Sequence, residues 1–186
     1  VYLVRDGRVA GRYDKQRLVP FAEDDRLAWL RAERPTDYSP GEGPSLLPTS
    51  ALRVGPLLCL ESMFPDLARQ AARAGAEVLV NLSNDAWFGG PGPARHQLDI
   101  AALRAVENRR YLVRAAATGV SAVIDPHGRT LVQSEMNTDQ VLNAMVRGSQ
   151  ASTPYQRCGD AFAWLVIAAV AAATLRPLVT RTVVRS

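Results

Sequence analysis

LLCLESMFP, at residues 57–65, joins the end of a buried strand to the start of a helix. The nearly continuous apolar run 52–60 that leads into this junction is typical of a strand covered on both faces. Pro65 suits the first turn of a helix, and a 3.6-residue apolar period follows at Leu67, Ala68, Ala71 and Ala72. The junction therefore predicts that Cys59 projects from the carboxyl edge of a sheet, just before a helix.

Strands and helices alternate on both sides of this junction. A tight turn at residues 5–8 separates two short strands near the amino end, and Gly75 ends the first helix. The pattern then predicts a helix at about 94–110 and strands at 77–82, 111–116, 121–124, through Val132, and at 141–146. This order indicates an α/β fold with helices covering a mixed sheet.

The composition is that of one globular domain. The chain has 186 residues, of which 47% are hydrophobic and 22% charged, and these values are ordinary for a globular protein. The formal net charge of +4 comes from arginines spread along the chain, without a compact basic run, which argues against nucleic-acid binding. A solvated arginine face or contact with anionic lipid headgroups explains the charge better. Lys15 is the only lysine, and lysine supplies a compact, adjustable charge that arginine cannot.

The two cysteines lie in different settings. Cys59 ends an apolar run whereas Cys158 lies in a polar segment, which disfavours a disulfide. At this junction Cys59 is either a nucleophile or a small buried core residue. In the first case the following backbone amides would stabilise the oxyanion that forms on the substrate. No His, Cys, Asp or Glu spacing matches a metal site, and residues 89–92 lack a phosphate-loop lysine. We therefore expect neither a metal nor a cofactor.

Residues 161–175 contain no charged side chain and are apolar on every face. A helix of that length spans about 22 Å, short of the roughly 30 Å hydrocarbon core, but Arg176 can snorkel while residues 177–179 extend the span. The pattern predicts a transmembrane helix at 161–179, with a buried core helix as the alternative. Because Arg176, Arg181 and Arg185 follow it, residues 180–186 are expected in the cytoplasm and the preceding domain outside it.

Several motifs share one order and spacing. YDK at residues 13–15 precedes LVPFAE at 18–23, CLE at 59–61 precedes FP at 64–65, and NLSNDAWFG occupies 81–89. Together they resemble the motifs of the apolipoprotein N-acyltransferase family, in the carbon–nitrogen hydrolase (nitrilase) superfamily. The resemblance covers nearly the whole chain, with further matches at His96, 104–109, 114–116, 118–119 and 153–155.

The resemblance implies a four-layer α-β-β-α nitrilase-type sandwich at residues 1–150, incomplete at its amino end, with a linker at 151–160. It implies transfer of an acyl chain from a phospholipid to the α-amine of the N-terminal diacylglyceryl-cysteine of an apolipoprotein, without a cofactor. The partners would be the phospholipid, the apolipoprotein and the bacterial inner membrane, with the domain facing the periplasm. The protein would act as a monomer and bind no nucleic acid.

The resemblance also implies a Glu-Lys-Cys triad. Cys59 would be the nucleophile that forms an acyl thioester, and Lys15 would stabilise the oxyanion together with the backbone amide of Leu60. Glu23 and Glu61 match the family's additional active-site glutamates. The substrate-binding positions would be Trp87 and Phe88, which line the approach to the pocket, and Asn84, which equally fits a loop residue that satisfies backbone amides.

The chain departs from the family pattern at a few positions. Leu60 stands where the family often has tyrosine, and Ala22 where glycine is frequent. No position matches the family's general-base glutamate, which lies upstream of the lysine, so the chain is expected to be a fragment that does not turn over by itself. Two other interpretations stay open: a nitrilase-type amidase that hydrolyses a small amide, and a membrane-anchored binding domain without catalysis.

Overall fold

The computed structural model describes residues 1–19, 23, 38–88 and 91–183, without the side chains of Trp87, Phe88 and residues 175–183. The strands are β1 (Tyr2–Arg5), β2 (Arg8–Arg12), β3 (Leu47–Pro48), β4 (Arg53–Leu58), β5 (Val78–Ser83), β6 (Tyr111–Ala116), β7 (Ala122–Ile124) and β8 (Thr130–Gln133). The helices are α1 (Pro65–Arg73), α2 (Pro91–Asn108), α3 (Pro154–Cys158) and α4 (Ala161–Val183), and short 3-10 turns cover Cys59–Met63 and Asp85–Phe88.

Six strands form one sheet in the order β3-β4-β5-β6-β7-β8, and β1 pairs with β2 in a separate two-stranded sheet. Strands β4, β5 and β6 are parallel, whereas the pairs β3–β4, β6–β7 and β7–β8 are antiparallel. This mixed sheet with its helices confirms the predicted α/β class. The carboxyl ends of β4, β5 and β6 meet at one edge, which is where ligand sites form in open α/β sheets.

The core lies between the six-stranded sheet and helices α1 and α2. Leu57, Leu79 and Leu112, one from each parallel strand, are fully buried, and burying each side chain contributes about 1.5–3 kcal/mol. Helix α1 approaches the sheet closely, because a Cβ added at Gly55 would lie 3.0 Å from the Cβ of Ala71. This close packing holds α1 against β4 and so constrains the turn between them.

The bounds of one predicted helix and the existence of one predicted strand differ from the structure. Helix α2 covers Pro91–Asn108 rather than about 94–110, because Arg109 adopts a left-handed φ of +49° that ends the helix. The strand predicted at 141–146 is wrong: this segment has no regular structure, and its apolar Val141 and Met145 face solvent. Apolar alternation makes a strand only where a neighbouring strand supplies backbone hydrogen bonds.

The carboxyl-terminal part is helical. The predicted linker at 151–160 contains α3, whose amino end is capped by Thr153 accepting a hydrogen bond from the Gln156 amide at 3.0 Å. In α4 the large apolar side chains between Phe162 and Val170 are exposed, so this part of the helix lies outside the core. Among the residues that the structure describes, no helix has both the length and the apolar character needed to cross a membrane. The transmembrane span predicted at 161–179 is therefore not confirmed.

Candidate active site

Cys59 begins a 3-10 turn immediately after β4. Its φ of +51° lies in the left-handed region, which is strained for a residue with a side chain and persists only where the surroundings hold it. The Cys59 thiol is free and half-buried, and Cys158 is free and exposed, so the two form no disulfide. The amide of Leu60 comes next, in the first turn, where backbone N–H groups have no partner within the turn. Cys59 thus lies at the predicted edge of the sheet.

Glu61, in the same turn, is completely buried. Its Oε2 accepts hydrogen bonds from the Leu58 amide at 2.6 Å and the Tyr13 hydroxyl at 2.7 Å, and its Oε1 accepts from the amides of Gln16 at 2.6 Å and Arg17 at 3.1 Å. Burial and the neighbouring Glu61 carboxylate raise the pKa of Tyr13 far above its ordinary value, so the hydroxyl stays a donor. Because both carboxylate oxygens already accept hydrogen bonds from these donors, Glu61 is suited to holding the segments of the site in place rather than to reacting with a substrate.

Lys15 forms an ion pair with Glu23, with 2.5 Å between Nζ and Oε2. The lysine side chain is 14% exposed, so the attraction is less screened by water than in a surface pair. The same Glu23 oxygen accepts the Val19 amide at 2.9 Å. Glu23 therefore fixes the position of the ammonium group. A cavity of about 700 Å³ opens beside the pair, with Leu18 and Tyr38 in its wall.

Glu61 also joins the segment of Cys59 to the segment of Lys15. It binds the amide of Gln16, which follows Lys15, and the amide of Leu58, which precedes Cys59. The structure thus joins the segment of the Lys15–Glu23 ion pair to the turn of Cys59 through Glu61, and the catalytic roles of these four residues stay a prediction. Within the described ranges, no group of three or more His, Cys, Asp and Glu side chains could hold a metal ion.

Asn84 lies at the end of β5, at the same edge of the sheet. Its Oδ1 accepts hydrogen bonds from the Ala86 amide and the Thr118 hydroxyl, both at 3.2 Å. These bonds order the loop in the manner of an Asx turn, and substrate contact by Asn84 stays a prediction. Trp87 and Phe88 lie in the following 3-10 turn, but their side chains are outside the described residues, as is Ala22.

Sequence reasoning missed a buried polar network next to the Cys59 turn. Arg114 and Asp85 form an ion pair at 2.6 Å with both side chains fully buried. Arg114 also donates to the Oδ1 of Asn81, whose Nδ2 donates to the carbonyls of Leu57 and Cys59. The signal available in the sequence was a single arginine in β6 and a single asparagine among the apolar residues of β5. The ion pair assigns Asp85 a structural role.

Comparison with known proteins gives one family profile and relatives that share one name. The carbon–nitrogen hydrolase family profile matches residues 1–155. The chain is 41% identical over 171 residues to the apolipoprotein N-acyltransferase of Geobacter metallireducens, covering 89% of this chain and 33% of that protein. It is 38% identical over 185 residues to the apolipoprotein N-acyltransferase of Caulobacter vibrioides, covering 92% of this chain and 34% of that protein. The chain thus spans about one third of the length of the curated relatives it matches.

Solved structures share the fold. A carbon–nitrogen hydrolase from Helicobacter pylori superimposes with a TM-score of 0.58 at 21% identity, covering 73% of this chain and 51% of that one. A mutant amidase from Nesterenkonia, which carries the acetamide moiety of fluoroacetamide covalently bound at its active-site cysteine, gives a TM-score of 0.55 at 25% identity. That match covers 70% of this chain and 48% of the amidase. These likenesses confirm the predicted nitrilase-type α/β fold.

Proposed function

This chain belongs to the carbon–nitrogen hydrolase family, and we propose that it supplies the nucleophile of an apolipoprotein N-acyltransferase. The observation that carries the proposal is the position of Cys59, in a strained turn that Glu61 joins to the segment bearing the Lys15–Glu23 ion pair. The names of the curated relatives support the acyltransferase, and the cysteine adduct of the Nesterenkonia amidase supports covalent chemistry at Cys59.

In the first half of the proposed reaction, the Cys59 thiolate attacks the ester carbonyl carbon of a phospholipid acyl chain. The carbonyl oxygen becomes an oxyanion, which the Lys15 ammonium group and the Leu60 amide stabilise. Collapse breaks the ester C–O bond and leaves the acyl group on sulfur as a thioester. The lysophospholipid departs as an alcohol, with the proton that the thiol lost. We assign the general base to no residue of this chain, since no position matches the family's glutamate.

In the second half, the free α-amine of a diacylglyceryl-cysteine attacks the thioester carbonyl. The same two donors stabilise the second oxyanion, the C–S bond breaks, and the thiolate of Cys59 is regenerated. The proton that the amine loses passes to the departing thiolate, which restores the Cys59 thiol, and the acyl group ends as an amide on the apolipoprotein. A thioester suits this transfer, because it splits one difficult acyl exchange into two easier steps.

A phospholipid donor requires a site at a lipid surface, and we propose that α4 contacts the bilayer of the inner membrane. Helix α4 exposes large apolar side chains that would otherwise face water, among them Phe162, Trp164 and Ile167. In this proposal the end after residue 175 lies in the cytoplasm and the catalytic domain in the periplasm, and the arginines after residue 175 support this orientation. The full four-layer sandwich, with β1 and β2 in its second sheet, is part of the same proposal.

The test is intact-protein mass spectrometry of the full-length protein after incubation with phosphatidylethanolamine. We expect an acyl-sized mass increase that hydroxylamine removes, because thioesters are cleaved by it. Cys59→Ser should never show the increase. Cys158→Ser is the matched control, since Cys158 is the other free thiol and is exposed, and this variant should be acylated like the wild type.

The possible outcomes separate the interpretations. An adduct on Cys59 that a diacylglyceryl-cysteine peptide discharges into an amide supports the acyltransferase. A folded wild-type protein that stays unmodified by phospholipid but releases ammonia from small amides contradicts it in favour of an amidase. A protein that does neither while Cys59 is free contradicts both enzymatic assignments.

A further inference from the structure

Two buried polar side chains lie in register beside β4, the strand that ends just before Cys59. Asn81 on β5 pairs with Leu57 on β4 and with Arg114 on β6 across the parallel strands. Asn81 and Arg114 are almost completely buried. Strands covered on both faces are ordinarily apolar, and a buried polar group is tolerated only where it is paired. Their hydrogen bonds therefore indicate what the two residues do.

The Asn81 amide holds the backbone on both sides of the strand-to-turn junction. Its Nδ2 donates to the Leu57 carbonyl at 2.9 Å and to the Cys59 carbonyl at 3.3 Å. Between these carbonyls the chain leaves β4 and enters the left-handed conformation at Cys59. One donor group that bridges the two carbonyls restrains the conformation that sets the direction of the Cys59 side chain.

Arg114 determines which way the Asn81 amide points. It donates to Asn81 Oδ1, so the Nδ2 is the group that remains to face the Leu57 and Cys59 carbonyls. Arg114 is itself fixed by Asp85 at 2.6 Å and by the Val120 carbonyl at 3.2 Å. The amide is thus oriented by a side chain that cannot readily move.

We propose that Asn81 and Arg114 are positioning residues for Cys59: Arg114 orients the Asn81 amide, and this amide holds the turn that presents the thiol. The catalytic consequence rests on the proposed acyl-transfer function, whereas the effect on the thiol itself does not. Asn81 acts on the backbone carbonyls of Leu57 and Cys59, and Arg114 acts through Asn81.

The test is Asn81→Asp, which keeps the shape of the side chain and an acceptor for Arg114 but replaces the donor with an oxygen that faces two carbonyls. Asn108→Asp is the matched control, because Asn108 is equally buried and its Nδ2 donates to the Arg104 carbonyl within α2. Both variants are made in the Cys158→Ser background, so that Cys59 is the remaining thiol of this chain, and alkylation is measured on the Cys59 peptide. The measurements are the rate of Cys59 alkylation by iodoacetamide and the thermal midpoint of unfolding.

We expect Asn81→Asp to slow the alkylation of Cys59 by about ten-fold, and to lower kcat for acyl transfer by a similar factor with KM little changed. Asn108→Asp should lower the thermal midpoint without slowing the alkylation by more than about two-fold. If Asn81→Asp does not fold, Asn81→Ala removes the donor without adding a charge and carries the same expectation.

An alkylation rate in Asn81→Asp that equals or exceeds that of the wild type overturns the proposal. So does equal slowing in the two variants, because that would be a general effect of destabilisation. If the wild type forms no thioester with phospholipid, the acyltransferase assignment fails while the alkylation comparison still decides the positioning role.

Discussion

Glu61 joins the segments that carry Cys59 and Lys15, and all its known partners are donors. It accepts two hydrogen bonds at each oxygen, from the Tyr13 hydroxyl and from three backbone amides. Hydrogen bonds to a charged group are worth more than neutral ones, and a buried donor left without its acceptor is costly. Glu61 is therefore the residue at which a small chemical change should matter most.

Glu61→Gln should lower the free energy of unfolding by about 3–5 kcal/mol, because the amide nitrogen would face two donors in place of an acceptor. Tyr13→Phe removes one of the donors and should cost about 1–2 kcal/mol. Urea denaturation followed by circular dichroism measures both. A Glu61→Gln protein as stable as the wild type would show that the two segments are held together by other contacts.

Gly119 shows how tightly the buried ion pair is enclosed. A Cβ at this position would lie 1.9 Å from the Oδ2 of Asp85, which is held by Arg114. Gly119→Ala should therefore destabilise the protein by about 1–3 kcal/mol or more. Gly92→Ala is the matched control, since its Cβ would meet nothing within 4 Å, and it should leave stability unchanged or slightly raised. Equal thermal midpoints for the two variants would contradict the close contact.

At the scale of single residues, the sequence offers candidates for the reactive groups but not for the side chains that support them. Cys59, Lys15, Glu23 and Glu61 stood out because they occupy motifs with a fixed order. The support by Asn81 could not be predicted, because its partners are carbonyls of another strand and strand register is not visible in a local pattern.

Among the elements, α2 and α3 are joined by polar contacts rather than by a continuous apolar face. Thr153 donates to the Glu107 carbonyl at 2.6 Å, and Gln156 donates to the Asn108 carbonyl at 2.8 Å. Glu107 itself pairs with Arg104 at 3.0 Å. Desolvation raises the pKa of Glu107 above its ordinary value even though this guanidinium group is close.

This shift predicts a pH dependence. A carboxyl group with a raised pKa binds its proton more tightly in the folded state, so its stabilising contribution is present below the unfolded pKa of about 4.3 and is lost as the pH rises through the folded pKa. When the pH is raised from about 4 to about 7, the free energy of unfolding of Glu107→Gln should therefore fall by less than that of the wild type. Urea midpoints at the two pH values measure this difference. Glu135→Gln, at an exposed position, should behave like the wild type, and parallel losses in all three proteins would contradict the prediction.

Elements with strong periodicity were predicted well, and their junctions less so. The helix after Pro65 and the strands on both sides of it follow from apolar spacing alone. The strand predicted at 141–146 failed because its apolar side chains have no partner strand, and α3 was hidden in a short polar segment that depends on the Thr153 cap. Local patterns record propensity, whereas these outcomes depend on contacts with distant residues.

For the whole molecule, the exposed apolar surface of α4 is the feature that most affects behaviour in solution. Phe162, Trp164, Leu165 and Ile167 are each more than half exposed, and the core cluster of the described residues includes no side chain of α4. Surfaces of this kind mark contact with lipid or with another protein. The charge distribution and the proposed acyl donor favour lipid.

The protein should float with vesicles of phosphatidylethanolamine and phosphatidylglycerol in a density gradient. The same protein ending at Asp160 should bind vesicles about ten-fold less, because it lacks the apolar side chains of α4. Circular dichroism of the shortened protein checks that the sheet is intact. Equal flotation of both proteins would mean that α4 is not the lipid-binding element.

The topology also divides the site into two parts, one held by the parallel strands of the sheet and one held by a single carboxylate. Cys59 directly follows the parallel strand β4, and Asn81 and Arg114 lie on the neighbouring parallel strands β5 and β6, whereas the lysine segment attaches through the carboxylate of Glu61. Because the amides of Gln16 and Arg17 donate to Glu61 and not to the sheet, we expect opening of the attachment to expose them while the strands stay paired. The hydrogen-exchange rates of these two amides therefore report the equilibrium between the attached and the detached lysine segment in an otherwise folded protein. Their protection factors give the fraction of molecules in which Lys15 is held in the site.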